Sequence, residues 1–437
     1  MSIDVIQKNR DLRRCGEKTS FDGFFWVAFA LLAAAVTYIF YREAASGQSD
    51  IYIHAVTASG FNFLDLHSIT ERIAYPFWHV NFAVLYQLGV PLAWAAAIVT
   101  AVYKMLGFML VQRIIYLYLT PLASAKIATL AALAAMVVTG IRIPTFNSSV
   151  YIGIGSPTVW HNPTQIVAVL SSLLCVFYTA HVVYLFWDAR SSHVPVTLPW
   201  KKVVLLAVLV VFSATCKPTF LQAFLPACAI FFLVLWIKNP KHTRYFLQII
   251  LAFLPAVLYF LMQYLYYTGV VVPFTSGVAV SFDLTRLWEA VRNMLMMAAF
   301  PLFVLLLADK KETFRDPVII LCLLIAGISV LEAALFTETG VRENHGNFNW
   351  ASMNAAFLLW VVMLPRLVPA IYQFHYTRLR LQEDAKKGVL STATLLRVQS
   401  SQRLRSAGFF VAFVLLLWHV YSGLYYLYYL FSTGSVF

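Results

Sequence analysis

The sequence predicts an all-α, polytopic membrane protein with about eleven transmembrane helices and interfacial helices in its first outer loop. Composition supports this fold class: 61% of the 437 residues are hydrophobic, only 12% are charged, and the mean hydropathy is +0.76. Soluble domains are typically about 25% charged. The composition therefore excludes a soluble enzyme and a disordered chain. We expect one integral membrane domain over residues 1–437.

Apolar stretches recur along the whole chain. A bilayer core takes about 20 apolar residues per helix, and on that criterion we predict about eleven spans. They cover residues 22–41, 92–119, 124–141, 163–187, 203–215, 219–237, 244–267, 291–308, 317–336, 351–371 and 407–432. The fifth is short and Lys217-Pro218 follows it, so we expect a helix break that keeps spans five and six separate.

The basic residues sort by membrane side. With the N-terminus in the cytoplasm, most of the 32 lysine and arginine residues fall on cytoplasmic segments, which is the positive-inside pattern. The net charge of +13 is therefore a topology signal, and no nucleic-acid partner is expected. We predict a multi-pass protein of the plasma (inner) membrane with an extracytoplasmic C-terminus. Its first extracytoplasmic loop would cover 42–79, and a basic cytoplasmic loop would cover 372–406.

The first outer loop carries an acid and two imidazoles. Its apolar residues, in SDIYIHAVTASGFNFLDLHSITERIAYPFWHV, predict short helices at the membrane surface. Asp50 and His54 are four residues apart and share one face of a helix. We take these two as candidate catalytic residues. His79, where the loop meets the second span, is a candidate binding residue.

Cations and further imidazoles lie on the later outer segments. Arg142 and His161 flank the irregular segment RIPTFNSSVYIGIGSPTVWHNPT, and Lys217 is a lone cation at the helix break. A lone charge at that depth is costly and is usually functional. The polar cluster in the last outer loop, TETGVRENHGNFNW, contains Arg342, Glu343 and His345.

These residue types suit chemistry on a phosphate-bearing lipid. Cations bind the phosphate, and a positioned carboxylate such as Asp50 is a general base for an acceptor hydroxyl. Aromatic faces suit sugar rings, and Trp78, Trp160 and Trp350 are available. We therefore expect glycosyl transfer from a polyprenyl-phosphate-linked sugar donor to a glycan or lipid acceptor, outside the cytoplasm. The expected substrate-binding residues are Lys217, Arg142, His161, His79, Arg342, Glu343 and His345. No cofactor and no dedicated metal site are indicated.

The layout resembles the GT-C superfamily of polytopic glycosyltransferases over most of the chain. Members have many spans, a long first extracytoplasmic loop with surface helices, and an acid early in that loop, which here is Asp50 in QSDIYIHA. The resemblance implies that Asp50 is the general base or positions the acceptor, with Glu71 or Asp65 as second candidates. No DD or ED pair stands at Asp50, which disfavours a metal-dependent mechanism. The absence of a WWDYG-type signature disfavours an oligosaccharyltransferase.

Two alternatives compete with this interpretation. A polysaccharide polymerase or O-antigen ligase uses similar donors but typically carries paired arginines in a large late outer loop, whereas Arg286, Arg292 and Arg342 occur singly. A membrane transporter or lipid flippase places charges near the bilayer midplane, where Lys104 and Glu332 are the candidates.

Overall fold

A computed structural model describes residues 21–65, 67–70, 72–119, 124–145, 155–190, 194–267, 276–281, 283–340, 346–387 and 392–434. Within these ranges the chain is almost wholly helical, as the composition predicts. The helices are α1 Gly23–Ala45, α2 Asp50–Ser59, α3 His67–Thr70, α4 Phe77–Gln87, α5 Leu92–Leu119, α6 Ala125–Val137, α7 Pro163–Ala189, α8 Trp200–Cys216, α9 Thr219–Lys238, α10 Thr243–Tyr267, α11 Leu284–Leu307, α12 Lys310–Thr313, α13 Pro317–Leu335, α14 Asn349–Met363, α15 Leu367–Lys386 and α16 Thr392–Thr433. Two strands, β1 Ser276–Val280 and β2 Phe336–Gly340, complete the fold together with 3₁₀ turns at Pro240–His242 and Leu364–Arg366.

Nine helices in the described ranges are long and apolar enough to cross a membrane. The two other predicted spans are short helices. α6 has 13 residues and α8 has 17, and at 1.5 Å per residue they are about 20 and 26 Å long. A bilayer core is about 30 Å thick, so neither helix spans it alone without tilt or local thinning. The count of eleven spans stays a prediction.

The break between α8 and α9 is present where the sequence predicts it. α8 ends at Cys216, Lys217 has an extended backbone (φ −167°, ψ 131°), and α9 begins at Thr219. Pro218 explains the break, because proline disfavours a helical conformation in the residue before it. The two helices are therefore separate, and the ends at Cys216 and Thr219 lie at one end of the bundle.

The segment predicted as the first outer loop folds into short helices that pack on the bundle. Ser49 caps α2 by accepting a hydrogen bond from the backbone amide of Tyr52 at 3.2 Å. Helix α2 packs against α1, α4 and α5, and it buries Ile51 and Ala55 while Ile53 stays exposed. The N-terminus of α2 is thus held against the helical bundle.

Helix α14 is the centre of the bundle. Every residue from Trp350 to Met363 is buried, and the helix packs against α11, α13 and α9. A helix that is apolar on all sides belongs in a core. It continues through the 3₁₀ turn into α15. Because α15 reaches Lys386 and α16 starts at Thr392, the described part of the predicted 372–406 loop is helical.

A small antiparallel sheet was not predicted. Strands β1 and β2 pair from Ser276 opposite Gly340 to Val280 opposite Phe336. β1 lies in the connection from α10 to α11, and β2 lies in the connection from α13 to α14. The strand pair therefore links these two connections, at the bundle end where α8 also ends. This places a rigid structure beside the helix ends that carry the candidate site.

Candidate functional site

Three polar residues from distant parts of the chain meet at this end of the bundle. Asp50 begins α2, Asn162 precedes α7, and Lys217 separates α8 from α9. The Asn162 amide donates a hydrogen bond from Nδ2 to Oδ2 of Asp50 at 2.8 Å. The Lys217 ammonium donates to Oδ1 of Asn162 at 3.5 Å. One amide therefore joins the predicted general base to the predicted phosphate ligand.

The position of Asn162 is fixed by the helix that it caps. Its Oδ1 accepts hydrogen bonds from the amide of Gln165 and from the hydroxyl of Thr164, both at 2.9 Å. Pro163 occupies the first helical position, where proline is favoured. With Oδ1 committed to the cap, Nδ2 must face Asp50. The sequence analysis did not select Asn162, although an asparagine followed by proline before an apolar run is a helix-start signal.

Lys217 is a buried cation between a tryptophan and two carboxylates. Its side chain is 5% exposed, and the ammonium lies 3.9 Å from the centre of the Trp350 ring. Burial lowers the pKa of Lys217 to about 7, while the charges of Asp50 and Glu338 oppose that shift. Glu338, on β2, is therefore a further charged residue within electrostatic range of this cation. An anion bound at Lys217 would restore its full positive charge.

His54 and His79 form a hydrogen-bonded pair next to Asp50. Nδ1 of His54 lies 2.9 Å from Nε2 of His79. Burial lowers the pKa of His79 to about 3. The pKa of His54 is also lowered well below its ordinary value, by burial first and then by His79 and Lys217. Both imidazoles are therefore neutral near pH 7, and one donates to the other.

His161 connects the cluster to the last helix. Its Nδ1 lies 2.9 Å from the hydroxyl of Tyr426 on α16, and its ring centre is 5.9 Å from that of Trp350. Burial lowers the pKa of His161 to about 4, with Asp50 raising it and Lys217 lowering it. Five predicted site residues thus come together, namely Asp50, His54, His79, His161 and Lys217.

The remaining predicted residues are placed differently. The Arg142 guanidinium lies 4.0 Å from the Tyr425 ring centre, and its backbone amide donates to Ser422 Oγ at 3.0 Å. Both partners belong to α16, and no contact described for Arg142 reaches Asp50 or Lys217. Three predicted binding residues lie outside the described residues, namely Arg342, Glu343 and His345.

All three tryptophans proposed as sugar platforms are buried, including Trp350, which is 8% exposed. Trp78 is 0% exposed and donates from Nε1 to Oγ1 of Thr100 at 3.1 Å. Trp160 is 1% exposed, and the ammonium of Lys104 lies 4.1 Å above its ring. Neither ring can stack on a substrate without a rearrangement. Lys104 also donates to the carbonyl of Val159 at 3.1 Å, so this buried cation supports the segment that carries His161.

Several buried polar atoms around the cluster have no hydrogen-bond partner within the described part of the chain. Glu43, at the end of α1, is 0% exposed and neither of its carboxyl oxygens is satisfied. It lies within electrostatic range of Asp50. Three further buried atoms also have no hydrogen-bond partner among the described residues, namely Trp160 Nε1, Gln165 Oε1 and Thr219 Oγ1. Buried polar groups are normally satisfied, so each of these atoms needs an explanation, and a bound water or ligand is one.

The described residues contain no group of three or more histidine, cysteine, aspartate or glutamate side chains arranged to hold a metal ion.

Comparison with known proteins found no matching family model, no matching curated protein and no matching solved structure. The functional argument for this chain therefore rests on the geometry of the cluster.

Proposed function

We propose that this protein is a membrane glycosyltransferase that uses a polyprenyl-phosphate-linked sugar at the extracytoplasmic face. The observation that carries the proposal is the Asp50–Asn162–Lys217 connection, because it holds a carboxylate and a buried cation on one amide. A phosphodiester donor needs a cation at its phosphate, and an acceptor hydroxyl needs a base. In this proposal the product is a cell-surface glycan or a modified glycolipid.

The distribution of charge supports an extracytoplasmic site. Helix α8 begins with Lys201 and Lys202 at the opposite end of the bundle and ends at Lys217 beside the site. Lys238 ends α9 at that opposite end. The positive-inside rule assigns the basic end to the cytoplasm. The N-terminus is then cytoplasmic, and Asp50 faces the outer side of the plasma membrane.

Helix geometry adds to the proposed phosphate site. Helices α7 and α9 both begin at the cluster, at Pro163 and Thr219. Free backbone amides and the positive end of the helix dipole favour anions at a helix N-terminus. A phosphate against Lys217 would thus meet a side-chain cation together with these partial charges. The apolar carrier would stay in the bilayer.

The proposed reaction is one displacement at the anomeric carbon. The acceptor oxygen forms a bond to that carbon while the bond from the carbon to the phosphate oxygen breaks. The acceptor proton passes to the carboxylate of Asp50, and the polyprenyl phosphate leaves with the bonding electron pair. Lys217 stabilises the charge that develops on the leaving phosphate. Asn162 acts on both groups as a positioning residue.

Transfer of labelled sugar tests the proposal. Purified protein in detergent is supplied with a panel of radiolabelled undecaprenyl-phosphate sugars and envelope lipid and glycan acceptors, with and without EDTA. We expect a labelled product with the native protein and none with Asp50→Asn. Asp65→Asn tests the second candidate base, and we expect it to keep its activity because Asp65 is exposed and accepts a hydrogen bond from the amide of His67. Full activity of Asp50→Asn would refute the assigned base.

The same assay separates the alternatives. A ladder of product lengths indicates a polysaccharide polymerase, whereas a single added sugar indicates a monosaccharide transferase. Movement of substrate or lipid across proteoliposome membranes without a covalent product identifies a transporter or flippase. Glu332 would then be the first residue to substitute, because its buried carboxyl oxygens have no partner among the described residues.

A further inference from the structure

A cavity lies beneath the small sheet, at the same bundle end as the candidate site. Its volume is about 190 Å³. A cavity of about 150 Å³ accommodates a benzene ring, so this one has room for one six-membered ring with substituents. The side chains that argue for an occupant come from β2, from the residues before α14 and from the start of α11. They are Arg286, Phe336, Thr337, Glu338, Phe348 and Asn349.

The lining combines aromatic faces with fixed polar groups. The rings of Phe336 and Phe348 lie side by side with centres 5.6 Å apart. Both carboxylate oxygens of Glu338 accept from Nδ2 of Asn347, at 2.8 and 2.9 Å. Oε2 also accepts from the backbone amide of Asn347 at 3.4 Å, so the carboxylate, which offers about four acceptor sites, keeps a free lone pair on Oε1. Glu338 is therefore held in place and can still accept hydrogen bonds from hydroxyl groups.

The other polar side chains are also positioned. The guanidinium of Arg286 donates to the carbonyl and hydroxyl oxygens of Ser281, at 2.7 and 2.8 Å. It also lies 3.9 Å from Asp283. Its charge is already partnered, so the cavity does not require an anionic occupant. The side-chain amide of Asn349, an exposed residue, lines the cavity and has no hydrogen bond within the described residues, which leaves its two donors and its acceptor for a ligand.

The cavity adjoins the proposed phosphate site. Asn349 directly precedes Trp350, whose ring lies 3.9 Å from the Lys217 ammonium. Glu338 acts electrostatically on that same cation. The cavity and the proposed phosphate site are therefore neighbours at this end of the bundle.

We propose that the cavity under the sheet binds the uncharged pyranose ring of the lipid-phosphate donor and selects the sugar. This inference rests on the proposed function, and it adds a sugar-binding site that the sequence analysis did not select. Glu338 and Asn349 hydrogen-bond the ring hydroxyls, and the two phenylalanines pack on its carbon face. Asp50 is then left on the other side of the phosphate for the acceptor. Small sites of this kind are mostly apolar with a few placed polar groups.

Competition binding tests the proposal with four competitors of equal charge. Radiolabelled undecaprenyl phosphate on purified protein is displaced by undecaprenyl methyl phosphate or by undecaprenyl-phosphate glucose, galactose or N-acetylglucosamine. Each competitor is a phosphodiester with one negative charge, so only the ring differs. We expect at least one sugar ester to bind about tenfold tighter than the methyl ester, which corresponds to about 1.4 kcal/mol from hydrogen bonds to the ring.

Variants test whether the tighter binding of the sugar ester, relative to the methyl ester, arises in the cavity. Glu338→Gln and, separately, Asn349→Ala should reduce it to less than about threefold while the methyl ester binds as before. Glu289→Gln, an exposed glutamate on α11 outside the cavity, is the matched control and should change neither value. Lys217→Met should weaken the binding of all the esters. Melting temperature in detergent verifies that each variant is folded.

The outcomes separate this inference from the proposed function. Equal affinity of the methyl ester and every sugar ester in the native protein overturns the cavity assignment, while product formation in the transfer assay still supports the glycosyltransferase. A sugar preference that survives both cavity variants also overturns it. Failure of every phosphodiester to bind folded native protein overturns both the cavity assignment and the proposed function.

Discussion

The two ends of the helical bundle each hold a carboxylate beside a cation, but Asp316 is buried and has several partners, whereas Asp50 is only half-buried and has fewer. At the end away from the candidate site, Asp316 caps α13 by accepting from the amide of Val318 at 2.9 Å. It also accepts from the hydroxyls of Tyr184 at 3.0 Å and Tyr118 at 3.4 Å, and it pairs with Arg366. These four partners come from four elements, so the cluster holds the helices together. We call Asp316 with Tyr118, Tyr184 and Arg366 the Asp316 clasp.

Asp50 has one such partner in the described structure, the amide of Asn162. Lys217 has a 3.5 Å contact with the same amide and the face of Trp350. Glu43 nearby has none among the described residues. The carboxylate of Asp316 has its acceptor sites occupied by protein groups, whereas Asp50 keeps acceptor sites that a ligand can use. This difference supports a structural role for the Asp316 clasp and the proposed ligand-binding role for the Asp50 cluster.

The largest expected effect is the loss of sugar-transfer activity when Asp50 is substituted. Asp50→Asn should lower the rate of sugar transfer by about 10²–10⁴-fold, the usual contribution of a general base. Its effect on unfolding should stay within about 1 kcal/mol, because the helix start loses only a dipole contact. Single-turnover kinetics and melting in detergent measure the two values. A large loss of stability would place Asp50 with the structural clasp instead.

The opposite pattern is expected at the clasp. Arg366→Met leaves Asp316 buried without its cation, and breaking a buried pair from one side costs about 3–5 kcal/mol. Arg315→Met is the control, since Arg315 is exposed next to Asp316. We expect a clear drop in melting temperature for Arg366→Met only. Unchanged stability would show that the clasp does not hold α5, α7 and α13 together.

A smaller effect is expected in the pH dependence of donor binding, which should follow the charge of Lys217. Lys217, with a pKa lowered to about 7, loses its charge as the pH rises through that value. Affinity for a phosphodiester donor, whose own charge is constant, should therefore fall about tenfold per pH unit above 7. His79 and His161, with pKa values of about 3 and 4, stay neutral from pH 6 upward. Titration of donor binding from pH 6 to 9 measures the slope.

Lys217→Arg supplies the control for that slope. Arginine keeps its charge throughout this pH range. The variant should therefore bind the donor with an affinity that changes little between pH 6 and 9, whatever its absolute value. An equally steep loss of binding in Lys217→Arg would assign the titration to a group other than Lys217.

The sequence predicts which end of the bundle carries the polar residues better than it predicts their neighbours. Hydropathy finds the long helices, and Lys217-Pro218 predicts the break before α9. The same reasoning groups Arg142 with Lys217 because both follow outward-running helices. In the structure, Arg142 packs on Tyr425 of the last helix instead. Position along the membrane normal follows from chain order and charge, but lateral packing depends on long-range contacts.

Two features were missed for the same reason. The β1–β2 pair joins short strands separated by 55 residues of helix and turn, and neither SGVAV nor FTETG predicts its partner. Asn162 is recognisable as a helix cap, but its bond to Asp50 bridges 112 residues. Local patterns predict the helix start correctly and say nothing about what the remaining amide donor meets. The site therefore emerges only once the helices are packed.

The smallest expected effect divides the two roles of Asn162. Asn162→Ser keeps an oxygen that caps α7, whereas Asn162→Ala removes the cap and should cost about 0.5–2 kcal/mol of stability. Both variants lose the Nδ2 donor to Asp50, so both should slow transfer by about tenfold. Melting in detergent together with transfer rates resolves the two losses. If Asn162→Ser retained the native rate, the amide would serve the fold alone, and Asp50 and Lys217 would act without a shared positioning residue.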